Sequence, residues 1–216
     1  MKYPWGIRDE AEIESYAYFD KNVRPLPKDT SGKIDPSQGG LHDNDVDAFR
    51  HAYVSGVFTQ VYSETTADIF GRMNESFNPA SVYSNSTNPG SGNMDLWSNS
   101  VGRKYGLKAK DRTTLLKMIH GALKNGELIL TSKDKRQYEG ATHNPVNKSK
   151  PVIVLQESKD GRNEIFFDVE KRKLLTVNEF ILQIEAGQYP GYTVKQINGL
   201  PTPVSNPDSR GTNNLG

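Results

Sequence analysis

The sequence predicts an α+β fold, a mainly helical core followed by a small C-terminal β-hairpin and helix, and three observations carry that prediction. Apolar residues recur at helical spacing between about residues 9 and 125. The short apolar or alternating runs PVIVLQES and NEIFFDVE then flank Lys159-Asp160-Gly161-Arg162, a hairpin signature. Finally, LTVNEFILQIEAG opens on Thr176 with Glu179 three residues later, the capping-box pattern of a helix start, and stops at Gly187.

Taken in order, Asp9 to Asn22 predicts a short helix with Ile13, Tyr16 and Ala17 on one side, ended before Pro25. RPLPKDTSGKIDPSQGGLHDND is rich in Pro, Gly, Asp and Ser and predicts a loop over the site, with Gly39-Gly40 permitting close backbone approach. The next helix opens on Asp43 or Asn44 as N-cap, and Val46, Phe49, Tyr53, Val57 and Val61 mark its core face. ETTADIFGRMNESF predicts another helix, with Ile69 and Met73 inward, stopped at Asn78-Pro79. Ala80 to Asn93 reads as a loop. Helix resumes at MDLWSNSVGRKYG and again at KDRTTLLKMIHGALKNG, where Leu115, Leu116, Ile119 and Leu123 face inward and Gly126 ends the run. The expectation is one domain over residues 1–216: a helical core over 9–125, a small β/α subregion over 150–200 and a polar tail over 201–216, with Ser132 to Lys150 the weakest seam.

Composition narrows the function classes. Lys plus Arg number 27 against 26 Asp plus Glu, so the net charge of +1 gives no general reason to bind a polyanion, and nucleic acid is not an expected partner. Without cysteine the chain has no disulfide, thiolate nucleophile or thiolate metal site. The N-terminus MKYPWGIRDEAEIESY lacks an apolar h-region, and no stretch approaches the roughly 18 apolar residues of a membrane span. The expectation is a product made in the cytoplasm without a Sec signal, which reaches a target cell, if it is secreted, by a leaderless route. No nucleophile elbow, Gly-rich phosphate loop or dinucleotide fingerprint is present.

The residues that carry chemistry cluster between Asp43 and Tyr105. Asp47 and Arg50 are three apart and Asp47 and His51 four apart, so all three share an edge of one helix. Asp95, Asn99, Gly102 and Arg103 draw a polar stripe down another, whose other side offers Met94, Trp97, Val101 and Tyr105. Glu75 lies near the end of the helix between them, and short connections make the three helices antiparallel neighbours. His42 precedes the site helix directly, His120 sits in a structural helix and His143 in a loop. Tyr83 and Trp97 are candidates to line a groove, with Trp97 equally suited to anchor the core. The basic stretches KSKP and Lys133 to Arg136 read as solvated loop charges.

At VDAFRHAYVSG, RMNESFNP and NMDLWSNSVGRKYG the chain resembles a large, poorly characterised family of bacterial helical domains. Their pattern runs Asp-Ala-x-Arg-His-x-x-Trp, His-Glu, then Met-Asp-Leu-x-Asn-Asn-x-x-Gly-Arg. The resemblance spans about residues 43–106 and is met by Asp47, Arg50, His51, Glu75, Asp95, Asn99, Gly102 and Arg103. Val54, Asn74 and Ser98 depart from it, and Asn74 removes a histidine that a metal site would use. The resemblance implies the toxic or enzymatic end of a secreted, contact-delivered antibacterial effector, with an immunity protein as a partner to look for.

Three functions follow as expectations. The first is a toxin-like hydrolase of an envelope polymer such as peptidoglycan, with Glu75 as general acid, Asp47 or Asp95 as partner carboxylate, and Arg50 and Asn99 positioning substrate. The second is a metal-assisted phosphodiesterase or phospholipase, in which His51, Glu75 and Asp95 hold a divalent ion and Arg50 or Arg103 clamps the phosphate. The third is a non-enzymatic binding module in which the cluster is a structural network.

Overall fold

A computed structural model describes residues 3–35, 38–77, 89–142, 145–146, 148–207 and 215. Tyr83, His143, the Asn78-Pro79 stop and most of the loop assigned from Ala80 lie outside the described residues. The fold is α+β: helices precede two small antiparallel sheets. The chain divides into two compact units, residues 1–143 and 144–216, and that boundary falls within the Ser132–Lys150 seam.

The first unit is helical. Its elements are α1 (Pro4–Asn22), α2 (Asp45–Val61), α3 (Glu64–Phe77), α4 (Pro89–Gly106) and α5 (Arg112–Lys124). α1 starts five residues before the Asp9 read from the sequence, because Pro4 occupies a first-turn position where a missing N–H is harmless. Its buried face is correspondingly Ile7, Ala11, Ser15, Tyr16 and Phe19, while Ile13 and Ala17 are exposed. α4 likewise begins at Pro89, so 89–93 are helical rather than loop.

α2 is the central helix and packs against the other four. Asn44 caps it, its side chain accepting hydrogen bonds from the Val46 and Asp47 amides. Val46, Phe49, Tyr53 and Val57 are buried as the spacing predicts, although Val61 at the helix end is exposed. Each such fully buried large side chain is worth roughly 1.5–3 kcal/mol of transfer energy.

α2 and α4 approach closely because glycines remove the side chains between them. A Cβ on Gly102 would stand 1.9 Å from the Ala52 carbonyl oxygen, and one on Gly106 2.6 Å from that of Gly56. Gly39-Gly40 has a different reason from the close approach expected: nothing lies near either, and Gly40 is there for its φ of 92°.

The second unit contains β1 (Val152–Glu157), β2 (Asn163–Asp168), β3 (Lys173–Thr176), α6 (Val177–Glu185), β4 (Tyr192–Ile197) and β5 (Leu200–Ser205). β1 and β2 form the predicted hairpin, with Gly161 at φ 81° in its turn. The expected capping box of Thr176 and Glu179 is formed. β3 and the β4–β5 hairpin were not legible, and Pro201–Ser205, assigned to a polar tail, is strand. Prolines at 201 and 203 mask β5 as a strand, although an edge strand of a two-stranded ribbon tolerates them. The core of this unit is Val152, Phe166, Leu175, Phe180, Tyr189, Tyr192 and Leu215.

Candidate functional site

α2, α3 and α4 bring Asp47, His51, Glu75, Asp95 and Asn99 together in one buried cluster, each at most 8% exposed. Arg50 borders it with a side chain 18% exposed. Neighbouring turns of α2 carry Asp47, Arg50 and His51, and one turn of α4 separates Asp95 from Asn99. The Asn99 side chain rests against Gly71 of α3, where a Cβ would meet its amide nitrogen at 3.0 Å.

The contacts converge on the His51 ring. Its Nε2 lies 3.0 Å from Arg50 Nη2, 3.4 Å from Asp95 Oδ1 and 3.7 Å from Asp47 Oδ1. Arg50 Nη2 also donates to Asp47 Oδ1, and the Asp43 amide donates to Asp47 Oδ2 at 2.8 Å. The Asn99 side chain is near enough to the His51 ring to favour its protonated form. Glu75 accepts from its neighbour Asn74 at 3.1 Å, and its carboxyl interacts directly with that of Asp95. Among the described residues, Asp95 Oδ1, Glu75 Oε2 and Arg50 Nε are buried with no hydrogen-bond partner.

Charge is unevenly supplied here. Burial, then the Glu75 and Asp47 carboxylates, push the Asp95 carboxyl well above its ordinary range. Burial also raises Glu75. Burial disfavours a charge on Asp47 too, but His51 when protonated, Arg50 and the Asp43 amide outweigh it and hold this carboxyl low. Burial and the Arg50 guanidinium depress His51 to about 4, so the ring is neutral at pH 7. The same burial opposes the charge of Arg50, which Asp47 more than restores. Three carboxyls therefore face one guanidinium and a neutral imidazole.

The remaining candidates fall elsewhere. Arg103 is buried lower on α4, where its Nη2 pairs with Asp68 Oδ1 at 3.0 Å and donates to the Tyr138 hydroxyl at 3.3 Å. Arg72 pairs with the other oxygen of Asp68 at 2.8 Å, so Arg103 belongs to an α3–α4 ion-pair network. The Trp97 indole N–H donates to the Glu127 carbonyl at 2.7 Å, a packing anchor. Arg136, read as a solvated charge, instead pairs with Asp134 and donates to the Gly126 and Leu128 carbonyls. His120 meets the Tyr18 hydroxyl at 3.2 Å on α5, and His42 is exposed but near enough for its charge to be felt by His51.

Sequence spacing alone missed three contributors. Glu12 of α1 reaches Arg50 Nη1 at 3.9 Å, and the Tyr16 hydroxyl lies close enough to feel the charges of Arg50, Glu12 and Asp47. Asp43 adopts a left-handed φ of 54° and bonds its carboxylate to the Ser91 hydroxyl at 2.5 Å, tying the entry of α2 to the first turn of α4. An acid just before a helix cap is the only signal the sequence offers for Asp43.

Residues 29–127 are similar to DUF6973, a domain of unknown function, whose model matches just under half of the chain. The matched span contains α2 to α5 and every member of the cluster. No curated protein and no solved structure matches the chain. Among the described residues, no helix is long and apolar enough to cross a membrane.

Proposed function

We propose that the helical unit is a hydrolase of phosphoester bonds, a phosphodiesterase or phospholipase. The observation that carries this is Arg50: a guanidinium fixed beside His51 and Asp47 in a carboxylate-rich cluster, with its buried Nε–H still unspent. Such a group suits the equatorial oxygens of a phosphoryl centre. Water oxygen bonds to phosphorus as the ester P–O bond breaks. Glu75, with one carboxylate oxygen unpartnered, takes the water proton and passes it to the leaving oxygen. Asp47 orients Arg50 and His51.

Glycoside cleavage in peptidoglycan is less well supported by the Glu75–Asp95 pair. That chemistry needs carboxyls about 5–9.5 Å apart, with room for substrate or water between them, whereas these two interact directly with each other. The effector setting is supported by the motif resemblance around Asp47-Ala48, Arg50-His51 and Met94-Asp95-Leu96. Expression of the chain in the cytoplasm and in the periplasm of a test bacterium checks it, and harmlessness in both compartments contradicts it.

The enzymatic reading is tested by offering the purified chain bis(p-nitrophenyl) phosphate, phospholipid vesicles and peptidoglycan sacculi in parallel, with divalent metal present. One of the two phosphoester substrates is cleaved, and Arg50→Lys lowers kcat/KM by about 100-fold because a point charge replaces the planar fork. Solubilised sacculi with intact phosphoesters contradict the proposal.

A further inference from the structure

The cluster has three carboxyls on one side of its balance and a single guanidinium on the other, and two of its buried carboxylate oxygens have no hydrogen-bond partner. A buried oxygen of this kind loses its hydration without recovering a bond in return. Such atoms are retained where something else supplies the partner. One of the two, Asp95 Oδ1, belongs to a trio of potential ligands: Asp47, His51 and Asp95 each offer one ligand atom, and the three lie within 4.8 Å of one another.

We infer that Asp47, His51 and Asp95 form a three-ligand site for a zinc-class divalent cation, with Asp47 Oδ1, His51 Nε2 and Asp95 Oδ1 as the donors. The spacing fits. Zinc bonds of about 2.0–2.1 Å in tetrahedral array put neighbouring ligand atoms about 3.4 Å apart, and His51 Nε2 stands 3.4 Å from Asp95 Oδ1 and 3.7 Å from Asp47 Oδ1. The donor set also fits, because an imidazole among carboxylates suits zinc better than it suits magnesium or calcium. Outer support is present too, since the Asp43 amide holds Asp47 by a hydrogen bond to Oδ2 and Asn99 lies buried beside the site on the same face of α4 as Asp95. Three protein ligands leave a fourth position for water or substrate.

Arg50 is the competitor for this position. Its Nη2 contacts the same two atoms, Asp47 Oδ1 and His51 Nε2, that the cation would bind. The guanidinium thus stands where the cation would bind, and an entering ion would displace it toward the substrate anion. Asn74, in place of the family's histidine, does not weaken this site, since its side chain turns to Glu75 and none of the three donors depends on it. The site deepens the hydrolase reading and rests on it only for the ion's role in the reaction; cation binding is independent of it.

Isothermal titration calorimetry of zinc chloride into the EDTA-stripped full chain tests the site. One ion binds per chain; binding weakens at least about tenfold in Asp95→Asn and in His51→Gln, whose folding is checked by circular dichroism. Arg50→Gln binds zinc more tightly than the wild type, because the competing guanidinium is gone. Absence of stoichiometric binding, or binding of equal strength in the folded Asp95→Asn and His51→Gln chains, overturns the site. Should neither variant fold, equal or weaker binding by Arg50→Gln overturns it. Zinc bound as described with no phosphoester cleaved would remove the hydrolase reading and leave the site standing; cleavage unchanged by EDTA with no zinc bound would do the reverse.

Discussion

Buried carboxyls short of hydrogen bonds make a protein less stable than it needs to be, and the cluster around His51 contains two. Asp47 is well compensated by Arg50 and the Asp43 amide, whereas Asp95 and Glu75 each have an oxygen without a hydrogen-bond partner. Their identities were legible because the i, i+3 and i, i+4 spacings of Asp47, Arg50 and His51, and of Asp95 and Asn99, define helix edges. Arg103 fits the same spacing but pairs with Asp68, since spacing fixes a face and not the partner across it. Ser98 is fully buried and its hydroxyl has no hydrogen-bond partner among the described residues. Ser98→Ala therefore raises stability by about 1 kcal/mol, measured by urea denaturation.

Elements hold these residues in place through backbone proximity that only small residues allow. Gly102 belongs to the family-like stretch ending Gly102-Arg103, and its function is physical: the Ala52 carbonyl occupies the space of a Cβ. Gly102→Ala improves local helix propensity by about 1 kcal/mol but forces α2 and α4 apart, so a net destabilisation of about 3 kcal/mol or more is expected in thermal and urea melts. Helices with clear punctuation were legible, as Asn44 and the Thr176–Glu179 box show. Less legible were starts marked by proline, which reads as a breaker but suits a first turn, as at Pro4 and Pro89. β4 and β5 were hidden by Pro201 and Pro203, and β3 by its four-residue length.

At the scale of the whole molecule, the mixed class was legible because periodicity changes after Leu130, and the boundary between the two units falls within the Ser132–Lys150 seam that the sequence marks as weakest. Each unit has its own apolar core, one centred on Phe49 and Tyr53 and the other on Phe166 and Phe180. A fragment of residues 1–143 is expected to fold alone, with a cooperative thermal transition and helical circular dichroism; a non-cooperative melt would contradict that. The central claim concerns what the helical unit is for. A structural polar network loses stability when one member is changed, while a functional site that buries excess acid gains it. The most direct test is to measure the melting temperature and phosphoester hydrolysis of Asp95→Asn together. Stripped of metal, the Asp95→Asn chain is expected to melt a few degrees higher than the wild type and to have lost hydrolysis. A chain that melts lower and hydrolyses normally would show the cluster to be scaffolding.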